Sequence, residues 1–163
     1  MRKNQNSQGE FLRLRLWRLS RHVSLDGRGG LFAAGRWHNQ GRPILYTATS
    51  PPGALVEVLV HLGVEPEEIP DGYRLLGIDV PDDAMNDAHD EPIVGRSSNL
   101  DRSRALGDTW LRSCGSLLCR VPSAIISHTD NVLINPAHPD MAKVVLSIDE
   151  PFTFDGRLFG VVE

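Results

Sequence analysis

Glu57 is the only carboxylate in the run Ala-Leu-Val-Glu-Val-Leu-Val-His-Leu, residues 54–62. An ionised carboxylate on so apolar a stretch is costly unless it faces a cleft or a partner. Carboxylates held that way are candidates for chemistry; the other reading is a glutamate on the solvent edge of a helix. His61 follows at four-residue spacing, which places it on the same side of a helix. Upstream, Arg36 and Arg42 sit in a glycine-bearing loop, Gly-Arg-Trp-His-Asn-Gln-Gly-Arg. Guanidinium is permanently charged and grips phosphate in a bidentate manner. Glycines let backbone N–H groups approach an anion. The same arginines also read as solvated surface charges, because the loop has neither a Walker pattern nor Gly-x-Gly-x-x-Gly. Tyr46, in the apolar run at residues 44–48, is either a core tyrosine or a ring placed to stack on a flat heterocycle.

Other chemistries find less support. Ser123 follows Pro122 at a strand end, where a serine normally closes a turn. No Gly-x-Ser-x-Gly elbow is present, so a hydrolase triad is not indicated. Asp130-Asn131 and Asn135-Pro136-Ala137-His138-Pro139 read first as turn-forming polar groups. There is no His-Glu-x-x-His, and Cys114 and Cys119 fit no zinc spacing. No metal is expected, and the two cysteines read as buried or half-buried thiols of a reducing cytoplasm.

The elements that must position these groups follow from periodicity and punctuation. Leu12, Leu14 and Leu16 alternate with Arg13 and Arg15, a strand pattern that runs on through Trp17-Arg18-Leu19. Residues 20–43 read as a long, polar, functional loop. After the strand at 44–48, Ser50 caps a helix with Pro51 at its first position, and Gly63 stops it. Leu55, Val58, Leu59 and Leu62 are its expected buried stripe. Residues 73–80 form a strand, residues 81–98 an acidic irregular loop, and residues 99–113 a second helix carrying Leu106, Trp110 and Cys114 on one side. Short β segments are expected at 117–121, 124–127, 132–134 and 143–148, with 152–154 and 158–161 extending the sheet. Many short strands and two long helices, without strict alternation, favour α+β.

The chain of 163 residues suffices for one domain with a real core. Residues 1–10 lack the apolar core of a signal peptide and read as a flexible tail, with residues 11–163 as a single domain. No apolar run reaches the length of a membrane span. A net charge of −4 argues against binding nucleic acid through phosphate contacts.

Taken together, these strings resemble the RES-domain family, the toxin half of bacterial RES–Xre toxin–antitoxin pairs. The resemblance rests on Trp17-Arg18, Gly35-Arg36-Trp37, Leu45-Tyr46, Ala54-Leu55-x-Glu57, Val121-Pro122-Ser123, the segment from Asn131 to Pro139, and Arg157-Leu158-Phe159. It implies an ADP-ribosyltransferase-like fold, an α+β core of two small packed antiparallel sheets with surrounding helices. It implies an enzyme that degrades NAD at the nicotinamide–ribose bond, by hydrolysis or phosphorolysis. Alternatives are a protein ADP-ribosyltransferase toxin and an inactive module that only binds its antitoxin. NAD is then a substrate and no cofactor is implied. The implied partner is an Xre-type antitoxin, with room for a homodimer within the complex. Arg18, Arg36, Tyr46 and Glu57 match the family's functional positions. Its serine falls on Ser123 first and Ser97 second, in a positioning role. By the same matching, Glu57 serves the ribose, Arg18 and Arg36 the pyrophosphate, and Tyr46 the nicotinamide ring. Arg42 drops out. Where many relatives read Gly-Gly-Arg-Trp-Asn, this chain reads Ala-Gly-Arg-Trp-His-Asn, so the polar role falls to either His38 or Asn39.

Overall fold

The computed structural model describes residues 13–63, 68–90 and 99–160. The expected tail at residues 1–10 and Ser97 lie outside them. In chain order come β1 (Arg13–Ser20), α1 (Gly29–Phe32), β2 (Leu45–Ala48), α2 (Pro51–Leu62), β3 (Arg74–Pro81), α3 (Asp82–Asn86), β4 (His89–Asp90), α4 (Leu100–Ser113), β5 (Leu118–Pro122), β6 (Asp130–Ile134) and β7 (Val145–Pro151). Single 3-10 turns, Pro139–Lys143 and Gly156–Phe159, flank β7.

The strands are ordered β4-β5-β6-β2-β1-β3-β7. Every adjacent pair is antiparallel except β4 with β5. The two halves of this sheet, β7-β3-β1 and β2-β6-β5-β4, meet at a single residue pair, Trp17 with Ala48. They then fold face to face. Leu16, Ile78 and Val80 from one half pack against Leu45, Leu118, Val132 and Ile134 from the other. The strands expected in two small packed sheets thus form one seven-stranded sheet whose two halves share this core. Period-two alternation sends Leu14 and Leu16 into this core and leaves Arg15 outside, paired with Asp79. Truncating a fully buried member such as Leu16 or Leu45 to alanine costs about 2–5 kcal/mol. A second cluster, Trp37, Ile44, Trp110, Leu111, Cys119, Val121 and Leu133, seats α4 and the Trp37 loop on the outer face of the β2–β6–β5 half.

The capping signals of α2 are realised. Ser50 Oγ accepts from the Gly53 N–H at 3.2 Å, and Gly63 ends the helix with φ 54°. Its expected stripe is only half-buried, with Ala54 the one fully buried residue, because the helix borders a cleft as well as a core.

Several expectations for the connecting segments are corrected. Residues 20–43 contain α1, and residues 81–90 contain α3 and β4. Residues 124–127 are a turn rather than a strand, because Ser123 Oγ accepts from the amides of Ile125 and Ile126, both at 3.2 Å. Phe152 and Phe154 leave the sheet to pack edge-on against each other, and Phe154 also meets Tyr73. Leu158 lies in the final 3-10 turn.

Candidate active site

A cleft of about 680 Å³ opens where the two half-sheets diverge beneath α2. That volume lies in the range of small-molecule and cofactor sites. β1 supplies Arg18, the turn just after it Arg21, the loop before β2 Arg36, and α2 Glu57. Three arginines and a single carboxylate thus line the cleft, although the chain as a whole carries a net charge of −4. Positive charge concentrated in a concave, low-dielectric site attracts an anionic ligand.

Glu57 is held from across the cleft. Ser123 Oγ donates to its Oε1 at 3.0 Å, and Asn131 Nδ2 donates to the same oxygen at 2.6 Å. Oε2 has no hydrogen-bond partner among the described residues. The carboxylate is therefore fixed by one oxygen and presents the other. Ser123 spends its only proton on Glu57 while accepting two backbone N–H groups. Its hydroxyl is a strut, with its proton on Glu57 and its oxygen held by the amides of Ile125 and Ile126. Asn131 reaches Glu57 because β6 pairs with β2, which places Asn131 opposite Ala48 just before α2 begins. His61 also lines the cleft, its Nδ1 donating to the Glu57 main-chain carbonyl at 2.6 Å.

Tyr46 divides its duties between ring and hydroxyl. The ring is 36% exposed and faces the cleft. The hydroxyl is turned into the loop, where it accepts from the Trp37 N–H at 3.1 Å and lies 2.8 Å from His38 Nδ1. The His38 tautomer follows from its other nitrogen. Nε2 lies 3.0 Å from the Ala33 carbonyl, which can only accept, so Nε2 carries the proton and Nδ1 accepts from Tyr46. Burial pushes the Tyr46 hydroxyl up to about 12. Its proton is thereby committed to His38, and the hydroxyl is not a ready acid. Burial also pulls His38 below its ordinary value, so its neutral form persists. Gly35 makes this possible, since a Cβ there would stand 2.5 Å from the Tyr46 hydroxyl.

Arg18 continues the inward face of Leu14 and Leu16 out of the core and into the cleft. Burial lowers its pKa, an effect partly offset by Asp26. Arg36 is exposed, and among the described residues it forms no ion pair.

Four of the residues expected from sequence, Arg18, Arg36, Tyr46 and Glu57, therefore share one cleft, with Ser123 bonded to the fourth. Ser97 lies outside the described residues, and Arg42 does not line the cleft. The structure gives Asn131 and His38 their partners, Glu57 and Tyr46. Asn131 carried a signal in the segment Asn131-Val-Leu-Ile-Asn135, but it reads equally well as a turn residue until the strand register is known. His38 and Asn39 both take polar roles, the first on Tyr46 and the second on Asp108. Among the described residues no group of three or more His, Cys, Asp or Glu side chains gathers to hold a metal, and no helix is long and apolar enough to cross a membrane.

The RES domain family matches residues 15–155. A Pseudomonas putida protein named Toxin Res is 46% identical over 144 residues, covering 88% of this chain and 99% of that protein. A second Toxin Res, from Photorhabdus laumondii, is 33% identical over 156 residues, covering 88% of this chain and 96% of that protein. A Sphingobium protein named Prs ADP-ribosylating toxin is 32% identical over 140 residues, covering 82% of this chain and 86% of that protein. The fold is shared with a chain in the crystal structure of the M. tuberculosis MbcT–MbcA toxin–antitoxin complex, at a TM-score of 0.64 and 19% identity, over 87% of this chain and 85% of that one. A family match over most of the chain and near full-length identity to named relatives place it without ambiguity: this chain belongs to the RES domain family.

Proposed function

We propose that this chain is the toxin of a toxin–antitoxin pair and that it destroys NAD by breaking the nicotinamide–ribose bond. The observation that carries the reading is the carboxylate of Glu57, pinned by Ser123 and Asn131 with one oxygen turned to an arginine-lined cleft. In this bond cleavage the C–N electron pair leaves with nicotinamide, which departs neutral. Positive charge grows on the ribose, and an oxygen of water or phosphate then bonds to the anomeric carbon, with a proton released. A fixed carboxylate beside that sugar stabilises the transition state more than the ground state. Glu57 takes that place and also receives the ribose hydroxyls. Arg18 and Arg36 hold the pyrophosphate, and the exposed ring of Tyr46 stacks on the nicotinamide. Because the leaving group is neutral, the chemistry needs neither a nucleophilic serine nor an acid at Tyr46, in keeping with the hydrogen bonds both make.

The named toxins among the relatives and the toxin–antitoxin complex among the structural neighbours support an antitoxin as partner; that this antitoxin is an Xre-type protein rests on the family resemblance alone. A second reading, transfer of ADP-ribose to a protein, draws support from the ADP-ribosylating toxin at 32% identity. Incubation of the partner-free chain with NAD labelled in its ADP-ribose half, with and without phosphate, separates them. Label in free ADP-ribose or its phosphate supports degradation, and label on protein supports the transferase. Intact NAD in every condition sinks both and leaves an inactive antitoxin-binding module.

A further inference from the structure

The segment that carries Arg36 is fastened to α4 at alternate residues. Arg104 Nε donates to the Gly35 carbonyl at 2.8 Å. Asp108 accepts from the Asn39 backbone N–H at 3.1 Å and from Asn39 Nδ2 at 2.9 Å. Between them, Gly107 lets the Trp37 backbone lie against the helix, since a Cβ there would stand 1.8 Å from the Trp37 carbonyl oxygen. Residues 104, 107 and 108 share one helix face, as spacings of three and four require. The odd-numbered residues 35, 37 and 39 thus turn their backbones to α4, while Arg36 points into the cleft. Neither Arg104 nor Asp108 lines the cleft. Asp108 is buried within α4, and the two Asn39 hydrogen bonds offset the cost of burying its carboxylate.

We infer that Arg104, Gly107 and Asp108 form a positioning cradle that sets Arg36 for the pyrophosphate of the substrate. The inference rests on the nucleotide reading of the cleft. It assigns α4 a function beyond core packing: the helix acts on the ligand through the backbone of residues 35–39 and contributes no residue of its own to the cleft lining. A guanidinium displaced by about 1 Å loses its bidentate geometry, and displacements of that size cost up to about 100-fold.

The test is a double-mutant cycle read by calorimetric titration with ADP, which carries the pyrophosphate and needs no turnover. Asp108→Ala and Arg36→Ala are each expected to weaken ADP binding by about tenfold or more. Together they should weaken it no more than Arg36→Ala alone, because the cradle acts only through Arg36. Asn39→Ala removes the Nδ2 half of the same contact and keeps the backbone half, so it should weaken ADP binding in the same direction by a few-fold, and it answers the question if Asp108→Ala does not fold. Thr109→Ala, on the outer face of the helix, should bind as the wild type does. Additive losses, or unchanged binding in a folded Asp108→Ala or Asn39→Ala protein, overturn the cradle while leaving the nucleotide reading in place. A wild-type chain that does not bind ADP overturns both.

Discussion

Replacing Asn131 by Asp changes one atom type and tests how Glu57 works. The wild-type amide donates to Glu57 Oε1 across 2.6 Å. Aspartate is nearly isosteric, but it brings a second carboxylate to the same oxygen. Two unit charges about 4 Å apart at an effective dielectric of about 20 repel by about 4 kcal/mol. At about 1.36 kcal/mol per pKa unit, that raises the pKa of the pair by about 3 units. Two carboxylates at hydrogen-bond distance share one proton. If the rate needs an ionised Glu57, activity is lost below the raised value, and the acid limb of the pH–rate profile moves up by about 3 pH units. The assay is nicotinamide release against pH for the wild type, Asn131→Asp and Asn131→Ala. The alanine variant loses a charge-assisted hydrogen bond of about 1.5–3 kcal/mol, so its rate falls by about 10- to 100-fold, and its limb moves up by less than that of Asn131→Asp because only a donor is lost and no charge is added. An Asn131→Asp protein that is folded and keeps both the wild-type rate and profile refutes the argument that Glu57 acts as a charge.

Three further outcomes follow from the same geometry. Ser123→Ala removes a hydroxyl that serves Glu57 and two backbone amides, so it should lower stability by about 1–3 kcal/mol in denaturant titrations as well as slowing nicotinamide release. Tyr46→Phe keeps the ring over the cleft but strands the Trp37 N–H and His38 Nδ1. It should therefore cost about 1–3 kcal/mol of stability and little in rate, whereas Tyr46→Ala should abolish tight NAD binding. His38 is held neutral, with its folded pKa below the ordinary 6.5, so the folded state binds fewer protons than the unfolded chain. Stability is then full above about pH 6.5 and declines as the pH falls below it; thermal melts against pH should show this decline, and His38→Gln should flatten it.

How far the sequence disclosed the site varies with the kind of interaction. Helix α2 was legible to the residue, because its signals are local: Ser50, Pro51 and Gly63 act within one turn of themselves. Glu57 was legible because a carboxylate in an apolar run has to be explained. Its partners were less so. Asn131 meets Glu57 only through the β2–β6 register, and Ser123 only because its turn folds back under α2. The Tyr46–His38 bond depends on a loop whose path is set by α4, some seventy residues away in the chain. The segment at 124–127 misleads for a physical reason as well: two β-branched isoleucines favour a strand, but a serine hydroxyl captures their amides first. Strand alternation likewise says nothing of Phe152 and Phe154, whose rings find better partners in Tyr73 and each other than in a further strand pair.

If the Glu57 carboxylate drives loss of nicotinamide from NAD, removing its charge alone must stop the reaction. Glu57→Gln keeps the side-chain shape and removes the charge, and it is to be compared with the wild type as purified, partner-free chains. Nicotinamide release and thermal melting should be measured on the same samples. The wild type should release nicotinamide rapidly, and the variant should melt as a folded protein but release it about 100- to 1,000-fold more slowly. A folded Glu57→Gln protein with the full wild-type rate, or a wild type that leaves NAD intact, would contradict this role of the carboxylate.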